Sequence, residues 1–158
     1  MANTIGNGSE WMLFVGSGSS VASIACATSC NLNQSNEMKD TSHKDVVGDW
    51  STSMPHKKSW QATTDNMFSI DPAGQGYFYL KSKFDNSELV HLYFAKKTSA
   101  TLDNTKGWTP AINTIGDTYM QGDAYINSMD MTAPVDDNAT FSVNFTGFGP
   151  LSMTTVAN

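Results

Sequence analysis

The sequence predicts a mainly β protein: an antiparallel β-sandwich or barrel with one flanking α-helix and a long inter-strand loop. Three observations support this fold class. Several segments alternate apolar and polar residues with a period of two, which is typical of strands with one buried face. One segment, 76–85, has helical spacing instead. Charged residues make up only 15% of the chain, and the abundant Ser, Thr, Asn and Gly suit turns and solvent-facing sheet surfaces.

The 158 residues are expected to form a single domain, 1–158, because a chain of this length can bury about 70% of its unfolded surface. Residues 1–10 are polar and predict a flexible N-terminal arm. The apolar run 11–15 predicts the first strand, and strict alternation over 21–32 predicts the second. The core face of this second strand is expected to carry Ile24, Cys26, Thr28, Cys30 and Leu32.

The two cysteines are expected to be free thiols. Cys26 and Cys30 would lie on the same face of one strand, about 13 Å apart. That separation is too long for a disulfide within the strand. Both side chains are therefore interpreted as small buried hydrophobic groups.

The segment 33–57 is the most unusual part of the chain. It contains few apolar residues and has no helical period, so the sequence predicts a long loop. Loops beyond about 12–15 residues are uncommon in small domains and are usually functional or disordered. The next strand begins at residue 59, with Trp60 expected to be buried. The loop would therefore form the tip of an extended hairpin.

The helix predicted at 76–85 would present one apolar stripe, formed by Tyr77, Leu80 and Phe84. A strand is predicted at 88–98, and because both of its faces are fairly apolar it is expected to be central in the sheet. The following residues, 99–117, are predicted to form a polar connection.

Two further strands are predicted near the C-terminus, at 119–131 and 139–147. The second has the clearest alternation, with Phe141, Val143 and Phe145 on the core face. Gly and Pro at 147–150 predict a kink, after which 151–156 is expected to add a final strand.

Charge and composition exclude several functions. The net charge is −6 and all nine basic residues are Lys, so the chain lacks the Arg side chains that grip phosphates and guanine edges. His43 lies near Asp40 and Asp45, but a catalytic or metal site needs a rigid supporting shell that this polar segment lacks. We therefore expect no enzyme activity, no metal and no cofactor. Without a long apolar run or a signal peptide, we also expect no membrane insertion and synthesis in the cytoplasm.

Two parts of the chain resemble a known family. The first runs from Ala-Cys-Ala-Thr-Ser-Cys-Asn-Leu at 25–32 to Lys-Lys-Ser-Trp-Gln-Ala-Thr-Thr-Asp at 57–65, with Lys-Asp-x-x-Gly-Asp-Trp at 44–50 between them. The second comprises 119–134 and 138–150. Together they resemble the major tail tube proteins of long-tailed bacteriophages, the family typified by lactococcal phages.

This resemblance implies a structural virion protein. Six copies would join their sheets edge to edge into a ring, and stacked rings would form the tube through which DNA leaves the virion. Implied partners are further copies of the chain, the tape measure, terminator and distal tail proteins, and DNA in transit. The protein would reside in the virion tail after synthesis in the bacterial host cytoplasm. The loop 33–57 would contact the next ring, and its expected assembly residues are Met38, Lys39, Asp40, His43, Lys44, Asp45, Val46, Val47 and Trp50.

Two alternatives remain open from the sequence. One is the tube protein of a contractile tail or a secretion-like injection system, which would share the architecture. The other is a β-sandwich carbohydrate-binding module that uses Trp50 or Trp108 as a platform for sugar rings.

Overall fold

A computed structural model describes residues 6–16, 21–24, 27–43, 48, 50–68, 76–103 and 107–158. These residues form a short 3-10 turn, Gly8–Glu10, one α-helix and eight β-strands. The helix is α1 (Tyr77–Asp85). The strands are β1 (Trp11–Val15), β2 (Ala22–Ser23), β3 (Ala27–Asp40), β4 (Ser53–Met67), β5 (Val90–Asp103), β6 (Gly107–Pro110), β7 (Thr118–Thr132) and β8 (Thr140–Thr155).

All eight strands belong to antiparallel pairings in the order β2-β1-β5-β7-β8-β4-β3, with β6 attached to β5. The sheet curls until its ends approach one another, and the Cys30 thiol of β3 lies 3.7 Å from the carbonyl oxygen of Trp11 in β1. Strand twist accumulates across a sheet of this width and favours such curling. The predicted mainly β fold with one flanking helix is confirmed, and its form is an incompletely closed barrel.

The core lies inside the curled sheet, with α1 covering one end. The predicted inward residues Phe141, Val143 and Phe145 are buried, and Leu80 of the helix is completely buried beside them. The predicted central position of the fifth strand is also confirmed, since β5 lies between β1 and β7. Core packing therefore links the helix to the sheet at this end of the molecule.

Trp60 is buried, as predicted, and it lies against glycines of two neighbouring strands. A Cβ atom added to Gly147 would lie 2.3 Å from the indole ring, and one added to Gly122 would lie 2.7 Å from it. The indole Nε1–H donates to the carbonyl oxygen of Gly149 at 3.1 Å. The bulky side chain fits only because β7 and β8 carry no side chain at these positions.

The long inter-strand loop is shorter than predicted. β3 continues to Asp40 and β4 begins at Ser53, so the connection spans 41–52 rather than 33–57. Antiparallel backbone pairing continues from Gln34, opposite Trp60, to Asp40, opposite Ser53. It contains one register shift, between Glu37 and Met38. The sequence pattern missed these strand residues because both of their faces are exposed, so apolar and polar residues do not alternate.

The segment predicted as one strand, 21–32, contains β2 and the start of β3. Ala27 pairs with Asn66 and Ser29 pairs with Asp65, so Thr28 bulges out and is exposed instead of facing the core. Cys26 lies outside the described residues. Cys30 is a half-buried free thiol, and desolvation raises its pKa.

The predicted apolar stripe of α1 is only partly correct. Leu80 is buried and Tyr77 packs edge-on against Phe141, with ring centroids 5.3 Å apart. Phe84 is 40% exposed because it lies on the last helical turn, beside a shallow groove at the rim of the sheet.

Two connections differ from the predictions. The polar segment 99–117 contains the end of β5 and all of β6, which form a hairpin. The kink predicted at 147–150 does not divide the last strand, and β8 continues through it. The pairing of β7 with β8 is irregular at the predicted kink. Gln121 pairs with Ser152 and Asp123 pairs with Phe148, so β8 has two extra residues there. A bulge absorbs the extra residues without ending the strand.

Part of the predicted flexible arm 1–10 has defined structure. The Asn7 side chain accepts a hydrogen bond from the Ser9 backbone N–H at 3.2 Å, which caps the turn Gly8–Glu10. The Glu10 carboxylate then forms an ion pair with Lys96 at 2.9 Å. These contacts hold the chain in place immediately before β1.

Candidate assembly surface

The hairpin formed by β3 and β4 extends well beyond the rest of the sheet. β8 pairs with β4 only from Gln61 to Met67, so the residues before Gln61 have only β3 as a ladder partner. We call residues 33–40 and 53–59 the outer hairpin, and all of them are exposed. Eight residues of strand correspond to about 26 Å of projection.

Hydrogen bonds, rather than packing, order the end of the outer hairpin. The Thr41 backbone N–H donates to the Thr52 carbonyl oxygen at 2.9 Å, which extends the ladder beyond the strands. The Ser42 backbone N–H donates to the Asp40 carboxylate at 2.7 Å. Hydrogen bonds from the Ser42 side chain and backbone lower the pKa of Asp40. Because two-stranded hairpins are marginally stable in water, this one gains most from contact with another surface.

The structure brings the described members of the predicted assembly set together at the hairpin tip. Met38, Lys39 and Asp40 end β3, and His43 follows with its Nδ1 atom 3.3 Å from the Thr41 carbonyl oxygen. Trp50 is 86% exposed. Lys44, Asp45, Val46 and Val47 lie outside the described residues.

Sequence reasoning missed one apolar member of this tip. Met54 pairs with Lys39 and is 54% exposed, which matches the 53% exposure of Met38. The sequence did contain a signal for it, because Met54 is an apolar residue within a polar segment. Exposed Met and Trp side chains are favoured as anchors in protein–protein interfaces.

The sheet also leaves strand edges open within the described residues, and two of them belong to β3 and β7. β3 is the last strand of the sheet and has β4 as its only ladder partner. β5 pairs with β7 only from Met120 to Ala124, so residues 125–132 of β7 have β8 on one side alone. Unpaired edges present backbone N–H and C=O groups that can pair with another chain.

The outward face of β3, β4, β8 and β7 is polar, and we call it the polar face. One row across the four strands is Ser29, Asp65, Ser142 and Asp130, and the next is Asn31, Thr63, Asn144 and Ser128.

Hydrogen bonds join neighbouring side chains of the polar face. Thr63 donates to Asn144 at 2.9 Å, and Asn144 donates to Ser128 at 2.7 Å. Neither row contains a basic residue, so the charges on them are negative.

The described residues contain no group of three or more His, Cys, Asp or Glu side chains placed to hold a metal ion. His91 is held by Asp123, with 2.6 Å between Nδ1 and Oδ1. No helix in the described part of the chain has the length and apolar character needed to span a membrane.

Three of the four tryptophans pack within the chain and offer no open platform for sugar rings. Trp60 is buried, Trp11 stacks on Phe94, and Lys97 lies 4.6 Å from the centre of the half-buried Trp108 ring. Trp50 is the exposed indole among these four. The geometry therefore fits an assembly surface better than a binding pocket.

Comparisons with known proteins agree with this geometry. The tail of an empty gene transfer agent particle, described with C6 symmetry, has a TM-score of 0.74 at 15% identity, over 96% of this chain and 100% of that chain. The SPP1 tail tube matches with a TM-score of 0.65 at 12% identity, over 96% and 80% of the two chains. A chain of the anti-feeding prophage baseplate matches at 0.61 and 9% identity, over 98% of both. At these identities the likeness concerns the fold.

A search of curated proteins finds no match. The sequence itself matches the model of a protein family, described as phage tail tube protein, over residues 7–153. This match covers nearly the whole chain and agrees with the resemblance seen in two separate parts of the sequence. The chain belongs to the phage tail tube protein family.

Proposed function

We propose that this chain is the repeating subunit of a phage tail tube, with six copies in each ring and rings stacked along the tube. The observation that carries the proposal is the outer hairpin, which projects about 26 Å and is exposed along its whole described length. Similar folds in the C6-symmetric tail of a gene transfer agent and in the SPP1 tail tube support it.

Within a ring, the open edge of β3 would pair with the open edge of β7 in the next copy. Each copy then contributes β3, β4, β8 and β7 to one continuous sheet. Closing the ring pairs these two edges in every copy, which removes the aggregation hazard that they carry.

The polar face would line the lumen of the tube. Asp65 and Asp130 place carboxylates there, and the adjoining side chains are small and uncharged. DNA phosphates would be repelled weakly and would find no basic group to bind. DNA could therefore pass through without being retained.

The outer hairpin would contact the next ring. Its assembly residues would be Met38, Lys39, Asp40, His43, Lys44, Asp45, Val46, Val47 and Trp50, with Met54 added from the structure. Burying apolar groups contributes about 25 cal/mol per Å² of apolar area. Exposed Trp and Met side chains at the tip would thus stabilise stacking.

The protein would act without catalysis or a cofactor. It would reside in the virion tail after synthesis in the host cytoplasm, and its further partners would be the tape measure, terminator and distal tail proteins. A tube of a contractile injection system is the second candidate, because the fold also matches a chain of the anti-feeding prophage baseplate. Binding of the purified tubes to a contractile sheath protein would favour that candidate.

Truncation of the outer hairpin tests the proposal. Replacing residues 37–57 by an Asn-Gly turn keeps the pairing of Asn36 with Lys58, and the described residues that it removes are all exposed. Electron micrographs of the intact protein should show tubes, and those of the shortened protein should not. Equal thermal stability of the two proteins is the control. Normal tubes from the shortened protein would contradict the proposed role of the hairpin.

A further inference from the structure

A cleft opens where the outer hairpin leaves the sheet. β4 and β8 are paired from Met67 to Gln61, and beyond Gln61 they diverge. The cleft has a volume of about 720 Å³, and Trp60 forms its floor. One wall is the part of the outer hairpin nearest the sheet, including Lys58 and Ser59. The other wall includes Pro150 and Leu151 of β8.

Both walls of this cleft present strand edges without a ladder partner on the side that faces it. Residues 53–59 of β4 pair only with β3, and β8 beyond Gly147 pairs only with β7. The floor is stable, because the Trp60 indole is held by its hydrogen bond to Gly149 and by the glycines beneath it. A narrow segment with an apolar tip would fit between these walls and reach this floor.

The opposite end of the same molecule carries such a segment. The turn 133–139 joins β7 to β8 at the end of the sheet farthest from the outer hairpin. Its Val135 side chain is 99% exposed. Asp136 and Asp137 follow and are also exposed. The turn is therefore an apolar tip next to two negative charges.

The charges of the two ends are complementary. Lys58 lines the cleft, and Lys57 precedes it in the outer hairpin. The turn 133–139 carries two negative charges, on Asp136 and Asp137. Opposite charges of this kind fix the register of an interface and speed association, although surface pairs add little affinity.

We propose that the turn 133–139 of one copy docks into the Trp60 cleft of a second copy, with Val135 over the indole and Asp136 and Asp137 near Lys58. This inference rests on the proposed function and names the surfaces that meet between rings. The contact joins different ends of the molecule, so it is heterologous and repeats without closing. It would act together with the outer hairpin, which would rise beside the docked turn.

Disulfide trapping tests the contact directly. In a background carrying Cys26→Ala and Cys30→Ala, the protein would carry Ser59→Cys in the cleft wall and Val135→Cys at the turn. Oxidation of assembled tubes should give a ladder of cross-linked species on a non-reducing gel, in steps of the 17.1 kDa subunit. The ladder should extend beyond six subunits because the contact is open-ended.

Matched variants separate this inference from the function on which it rests. Ser59→Cys alone, and Ser59→Cys with Lys81→Cys on the helix, should give dimers at most. Tubes without a ladder from the Ser59→Cys and Val135→Cys protein would overturn the docking contact and leave the tube function standing. If the unmodified protein forms no tubes or rings, both inferences fall together.

Charge reversal gives a second test that does not depend on oxidation. Lys58→Glu should slow tube elongation severalfold at low salt, measured by light scattering. Adding Asp136→Lys and Asp137→Lys should restore much of the rate. Unchanged elongation in Lys58→Glu, or slowing that the second change does not rescue, would overturn the assigned contact.

Discussion

The two halves of β4 differ in burial and in the number of their ladder partners. From Trp60 to Met67 its residues alternate between buried and exposed, and the strand has partners on both sides. From Ser53 to Ser59 every residue is exposed, and β3 is the only partner. The same strand is thus part of a folded core at one end and an unsupported ribbon at the other.

This difference separates the residues that stabilise the fold from those available for assembly. Substitutions of the buried residues of β4 between Trp60 and Met67 should change the free energy of unfolding. Substitutions in the outer hairpin should leave it nearly unchanged and alter assembly instead. Trp60 and Trp50 make the comparison sharpest, because one indole is 4% exposed and the other is 86% exposed.

The largest expected effect comes from Trp60→Ala. Loss of this buried indole should lower the free energy of unfolding by about 3–5 kcal/mol, measured by chemical denaturation. Trp50→Ala is the matched control and should change it by less than about 0.5 kcal/mol while reducing tube formation in electron micrographs. Similar losses in the two variants would contradict the expectation that only the buried half of the hairpin contributes to the free energy of unfolding.

A smaller loss is expected from Gly147→Ala. The added methyl group would overlap the rigid Trp60 indole, and overpacking of this kind costs about 1–3 kcal/mol. Gly8→Ala is the control, because a Cβ atom there meets nothing within 4 Å. In the Trp60→Ala background the cost of Gly147→Ala should largely disappear. A double-mutant cycle with no coupling would contradict this packing.

The polar face offers a change with little effect on stability. Asp65→Lys with Asp130→Lys replaces two exposed carboxylates, so the free energy of unfolding should shift by no more than about 1 kcal/mol. Tubes of this variant should retain DNA fragments at low salt and release them as salt increases. The unmodified tubes should retain none. Equal retention by both would argue against a lumen lined by this face.

The smallest effect concerns the pH dependence of the hairpin tip. Hydrogen bonds from Ser42 lower the pKa of Asp40 in the folded protein, so its carboxylate stabilises the tip above the unfolded pKa of about 3.9. This contribution is lost as pH falls through the lower, folded value. NMR titration should show an Asp40 midpoint below the usual range and loss of protection at the Ser42 amide. Asp40→Asn should abolish this pH dependence.

The sequence predicted best where burial left a pattern. The strand with Phe141, Val143 and Phe145 was recognisable because one face is in the core and the other in solvent. The strand residues of the outer hairpin left no such pattern, since neither face is buried within one copy. Their conformation is set by pairing across the hairpin, which local composition does not reveal.

The candidate site was only partly predictable for the same reason. The unusual segment 33–57 is where we propose an assembly surface, and Met38 and Trp50 are exposed there. The cleft over Trp60 could not be predicted. It depends on where β4 separates from β8, and on glycines that are distant in sequence from Trp60.

The sequence by itself determined the mainly β class, the helix and the buried faces of the central strands, because local periodicity carries these properties. The tail tube family also followed from the sequence, through its resemblance to that family and its match to the family model over residues 7–153. Only the tertiary structure decided how far the hairpin projects, which strand edges stay open and that the cleft and the turn 133–139 lie at opposite ends. These features follow from the order and register of strand pairing. Backbone hydrogen bonds between distant segments set that register, and the bonding groups are the same in every residue except proline.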